Sequence, residues 1–137
     1  MRNVDPHTLL PTLWLFVLLN IIFRDLHQFV MPGFLETIMT GRFQGMEITP
    51  ELMLLGGVVV SVPISMIPLS VLLARRYLRP VTAVAAILTT VTMIPPLPMD
   101  LDDGYHLVLQ LGAMAGIGVT LWTWPSEPAE TGRHLRP

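Results

Sequence analysis

The sequence predicts an all-α protein, a four-transmembrane-helix bundle with a short interfacial helix between helices 1 and 2. Composition is the first observation behind this. Of 137 residues 52% are hydrophobic and only 13% charged, about half the roughly 25% of a soluble domain. The second is that four apolar stretches each approach the ~20 residues that cross ~30 Å of hydrocarbon at ~1.5 Å per residue. The third is that capping residues and prolines fall at the ends of those stretches.

The membrane domain is expected over residues 1–124, with helices at about 8–30, 50–75, 79–95 and 104–124. Asp5-Pro6 opens the first, because an Asp accepts from the first free N–H groups and a Pro at the first helical position loses nothing. No small-residue cleavage site follows this run, so it reads as a retained helix rather than a signal peptide. "PGFLETIMTG" then sets Phe34, Leu35, Ile38 and Met39 on one side of a short helix, which suits a segment lying flat in the interface. Thr49-Pro50-Glu51 repeats the capping signal before the second helix, and "PPLP" at 95–98 ends the third. Trp122 and Trp124 stand where an aromatic belt belongs at the end of the fourth. The polar, proline-containing segment 125–137 reads as a disordered cytoplasmic tail.

All eight basic residues are Arg, and ten acids leave a net charge of -2. That distribution has no basic stripe for phosphates, so no nucleic-acid partner is expected. The absence of Cys excludes disulfides, thiolate catalysis and cysteine-ligated clusters. With both termini inside, Arg2, Arg75, Arg76, Arg79, Arg133 and Arg136 gather on one side, against Arg24 and Arg42 on the other. Cytoplasmic loops carry the Arg excess. The expected location is therefore the inner (plasma) membrane, multi-pass, with both termini cytoplasmic.

The end of the first helix, "NIIFRDLHQF", interrupts its apolar pattern. At ~100° per residue Asn20, Arg24 and His27 fall within about 60° of one another, whereas Asp25 points about 100° from Arg24. Two readings are open. In the structural one, Arg24 and His27 reach headgroups and water, and Asp25 finds a neighbour. In the other, Asn20, Arg24, Asp25, His27 and Gln28 line a polar pocket completed by Asp102, Asp103, Tyr105, His106 and Gln110. Asp25 carries the most weight there, because its short side chain cannot snorkel; Arg24, Arg42 and His106 are its candidate partners.

No catalytic residue and no cofactor are predicted, and the metal reading is none. The candidate ligands, if a metal binds, are His27, Asp102 and His106, since Asp102 stands one helical turn before His106. Small residues at Gly57, Ser61, Gly112 and Gly116 predict that the second and fourth helices approach closely. Pro63 and Pro68 bend the second.

"TLWLFVLLNIIFRD", "MPGFLETIMTG" with "GMEIT", and "LLGGVVVSVPISMIPLS" resemble a family of small four-helix bacterial membrane proteins known as a domain of unknown function, over residues 8–75. The layout is loosely similar to DoxX-like four-helix proteins. The resemblance carries over Asn20, Asp25 and the Pro32-Gly33 turn, and it implies a fold and a compartment rather than an activity. The expected function is that of a non-enzymatic integral membrane protein binding partner subunits or lipid. Its partners are then the lipid bilayer and a homo-oligomer or partner membrane subunit. The alternatives are a small oligomeric proton- or solute-coupled transporter and a membrane redox or metal-binding component.

Overall fold

A computed structural model describes residues 5–43, 45–94 and 99–124, and they are nearly all helical. The elements run α1 (Pro6–Val30), α2 (Phe34–Met39), β1 (Arg42–Phe43), β2 (Met46–Glu47), α3 (Pro50–Leu72), α4 (Arg75–Thr92) and α5 (Leu101–Thr123). Three of these, α1, α3 and α5, are long and apolar enough to cross a membrane.

Local chemistry sets the starts. The Asp5 carboxylate accepts from the His7 N–H at 3.1 Å with Pro6 following, and the Thr49 hydroxyl accepts from the Leu52 N–H at 3.2 Å with Pro50 following. Asp100 caps α5 through the Asp103 N–H at 2.7 Å, so this helix begins three residues before the expected 104 and takes Asp102 and Asp103 into its first turn. There two carboxylates meet the positive end of the helix dipole.

The turn between α3 and α4 also differs from expectation. α3 stops at Leu72 rather than 75, Leu73 and Ala74 are extended, and α4 begins at Arg75 rather than 79. Arg75, Arg76 and Arg79 therefore lie in the first turns of α4, and Pro80 sits inside the helix. Three guanidinium groups within five residues lower the hydropathy of α4, which is why it is not among the candidate spans although it is packed like the others. α4 ends at Thr92; the "PPLP" segment lies outside the described residues, as does the tail 125–137.

The expected short helix is present as α2, half burying Phe34 and Ile38 and exposing Leu35 and Met39. Gly33 ahead of it has φ 82°, a left-handed conformation that side chains with a Cβ resist. The two-stranded hairpin that follows was not expected. Arg42 pairs with Glu47 and Phe43 with Met46, and Gly45 turns the chain at φ 81°.

Around the bundle α1 packs on α3 and α5, and α4 packs on the same two from the far side. Among the described residues no Cα of α3 lies within 8 Å of one in α5, so the expected close approach of these helices is wrong. Beyond its own helix backbone, a Cβ placed on Gly57 or Gly112 would meet no atom of the described residues within 4 Å, whereas one on Gly116 would meet Leu13 of α1 at 3.5 Å. Spacing identified the small residues but not their neighbour. Which helix a face meets is set by the order of packing around the bundle.

Candidate functional site

The seam between α1 and α5 has two halves. Toward the chain termini it is apolar: Leu10, Trp14 and Val17 are fully buried, and Ile117 and Ala113 face them from the antiparallel helix. Toward the α1 C-terminus the same faces continue one helical turn at a time as Asn20 and Arg24, and as Gln110, His106 and Asp103. The i, i+3 and i, i+4 spacing that builds an apolar stripe here builds a polar one.

Asn20 is at the centre. Its amide nitrogen donates to the His106 backbone carbonyl at 2.9 Å and to Gln110 Oε1 at 3.1 Å. A backbone carbonyl only accepts, so this fixes which end of the Asn20 amide is NH2. The remaining Oδ1 accepts from His106 Nδ1 at 2.7 Å. His106 therefore carries a proton on Nδ1. Its other nitrogen, Nε2, is buried without a hydrogen-bond partner among the described residues and stands 3.6 Å from Asp102 Oδ1.

One turn outward, Arg24 Nε donates to Asp103 Oδ1 at 2.7 Å, with only 17% and 14% of the two side chains exposed. A short charge-assisted bond at that burial is stronger than a surface pair. His27 follows, its Nδ1 3.0 Å from Asp102 Oδ1 and its ring edge-on to that of His106 at 5.5 Å. His27, Asp102 and His106 each offer one ligand atom, and these atoms lie within 4.8 Å of one another. The enclosed space beside Asn20, Arg24, Asp103 and His106 is about 10 Å³, room for at most one water.

The sequence-derived candidates thus separate. Asn20, Arg24, His27, His106 and Gln110 come together with Asp102 and Asp103. Tyr105 is exposed and touches only the edge of the cluster, its ring 5.3 Å from that of His106. Gln28 is half-buried, and its backbone carbonyl accepts the N–H of Met31, which caps α1. Asp25 is exposed, and among the described residues it has no ion pair or hydrogen bond. Its three candidate partners do not meet it: Arg24 is held by Asp103, His106 by Asn20, and Arg42 lies in the hairpin. The reason is the ~100° step between adjacent helical residues, which turns Asp25 out of the seam that Arg24 enters.

Two features at other places were not foreseen. At the opposite end His7 Nδ1 lies 3.1 Å from the Ser70 carbonyl, freed by the end of α3; the Trp124 ring stands edge-on to His7, and Arg75 lies over Trp124 at 5.2 Å. Arg79 there donates to the Leu121 carbonyl of α5 at 3.0 Å. The N-terminal and C-terminal ends of the described chain therefore meet at the arginine end. Between α3 and α4 an open cleft of about 520 Å³ is lined by Val58, Val62, Met66 and Leu69 facing Val84 and Leu88. Ser61, singled out in the sequence for a close approach to α5, lines this cleft with Ser65 instead.

The model of a family of unknown function, DUF6326, matches residues 3–111. The chain belongs to the DUF6326 family. The match extends well past the 8–75 segment of the sequence resemblance and takes in both sides of the polar seam, from Asn20 through Gln110. No curated protein and no solved structure matches this DUF6326 chain.

Proposed function

We propose that the protein is a multi-pass protein of the bacterial inner membrane, a non-enzymatic bundle that holds a membrane helix of a partner subunit, a second copy of this chain, in the α3–α4 cleft. The observation that carries this reading is the cleft itself. It is open to the side and mostly apolar, with the small residues Ser61 and Ser65 in its α3 wall; one residue before that wall, a Cβ at Gly57 would meet, among the described residues, nothing within 4 Å beyond its own helix backbone. A glycine in a helix costs about 1 kcal/mol relative to alanine. Small residues facing outward allow a second backbone to come close where lipid gives little hydrophobic drive.

In this reading α4 crosses the membrane as the fourth helix. Its 18 residues rise ~27 Å, and Arg75, Arg76 and Arg79 reach from its first turns to the headgroups. The same three arginines favour that end, with both termini, on the cytoplasmic side. α2, with Leu35 and Met39 exposed, then lies in the outer interface. The transporter alternative has less support, because the polar seam leaves about 10 Å³ rather than a pathway.

The chain has no cysteine, so each introduced one is unique. Oxidative cross-linking in native membranes of Val58→Cys or Val84→Cys should give a dimer, and Phe16→Cys on α1 should not. A purified protein that remains monomeric in lipid discs, with no cross-link from either cleft position, would overturn the reading and leave the cleft to acyl chains.

A further inference from the structure

We propose that His27, Asp102 and His106 form a binding site for a first-row divalent transition-metal ion of the zinc or iron type, at the outer end of the α1–α5 seam. Two imidazoles and one carboxylate are a donor set suited to such ions, and they leave positions open for water or a further ligand.

Three observations converge on it. The first is spacing. Two ligands each ~2.1 Å from one ion at 90–110° stand roughly 3.0–3.4 Å apart. Asp102 Oδ1 is 3.0 Å from His27 Nδ1 and 3.6 Å from His106 Nε2, so small rotations bring all three around one ion.

The second is the unpartnered nitrogen. His106 is 4% exposed, and among the described residues its Nε2 has no hydrogen-bond partner. Because Nδ1 carries the proton given to Asn20, Nε2 presents a lone pair, and it presents it toward a carboxylate oxygen 3.6 Å away. Two electron-rich atoms aimed at each other inside a protein are unfavourable unless something positive lies between them. A proton on Nε2 would make a 3.6 Å ion pair with Asp102 but no hydrogen bond. A divalent ion satisfies both atoms.

The third is the support behind the ligand. A metal-binding histidine characteristically donates its other N–H to a carbonyl or carboxylate, which fixes its tautomer and its direction. Asn20 does this for His106, and Asn20 is itself held by the His106 carbonyl and Gln110. Asn20 is thus a positioning residue. His27 and Asp102 are 56% and 36% exposed in their side chains, so an ion has a path from solvent. On binding, the His27 proton resides on Nε2 while Nδ1 donates its lone pair, and Asp102 binds as the carboxylate.

The test uses the full chain purified in detergent, stripped with chelator and titrated with Zn²⁺ by calorimetry and with Co²⁺ by its visible absorption. One equivalent should bind per chain, with Co²⁺ bands of a nitrogen- and oxygen-ligated ion. His27→Ala and Asp102→Asn should each weaken binding at least tenfold while helicity is retained, because both side chains are largely at the surface. Asp25→Asn, outside the seam, should bind as the parent does. The proposal is overturned by the absence of saturable uptake. It is equally overturned by uptake that survives both His27→Ala and Asp102→Asn, which would locate the ion elsewhere, for instance on His134.

Discussion

Replacing Asn20 by Leu tests the polar seam most directly, because the two side chains share a branching pattern and differ in hydrogen bonding. Asn20 is 8% exposed and makes three bonds to α5, at 2.9, 3.1 and 2.7 Å. Interhelical side-chain bonds in membranes average about 0.6 kcal/mol and reach about 1.7, so three contribute about 2 kcal/mol together. The substitution also leaves His106 Nδ1 and Gln110 Oε1 buried and unpaired, and an orphaned buried group costs about 1–3 kcal/mol. Because these two contributions overlap, the expected loss is about 2–4 kcal/mol. Reversible unfolding in mixed micelles, titrated with sodium dodecyl sulfate and followed by circular dichroism, measures it. Adding His106→Leu should restore part of the loss, since an apolar pair leaves fewer unmet donors. If Asn20→Leu changes stability by less than 0.5 kcal/mol, or the double variant is no better than the single, the seam is not held as described; exposed positions ordinarily fall within about that range.

Asp25→Asn should alter stability by no more than about 0.5 kcal/mol in the same assay, as for an exposed residue without partners; a loss of several times that would place Asp25 in an interaction that the bundle alone does not contain. Gly116→Leu should cost about 1–3 kcal/mol by pressing on Leu13, and Gly112→Leu, with open space around it, should leave the monomer's melting temperature unchanged. Equal effects at the two glycines would contradict the packing order. Arg24→Met should be more destabilising than Arg24→Met combined with Asp103→Leu, because removing one member of a mostly buried pair strands the other; the four-member cycle of melting temperatures tests this. For topology, Glu36→Cys should react with a membrane-impermeant maleimide in intact cells, and Arg76→Cys only after lysis. The reverse pattern would invert the orientation.

Much of this protein is written in local sequence. Asp5-Pro6 and Thr49-Pro50 open their helices where an N-cap followed by proline requires it, and a short helix forms at 34–39 from its apolar spacing. These depend on hydrogen bonds and steric terms acting within a few residues. The composition of the polar seam was legible for the same reason: Asn20, Arg24 and His27 share a face by helical geometry alone, and Asp102 and His106 share another.

What one helix does to another was not legible. That Arg24 meets Asp103 and His27 meets Asp102 follows from the antiparallel register of α1 against α5, which no single helix specifies. The register also turns a list of polar residues into one site and leaves Asp25 outside it. The neighbours of Gly57, Gly112 and Gly116 were misjudged because small residues permit close approach without naming the helix that approaches. Ser61 marked a small-residue face on α3, but not that it opens into a cleft beside α4, because the apolar side chains around it are the same on any outward face. Sequence determined which residues each helix presents; only the packing of four helices decided which of them meet.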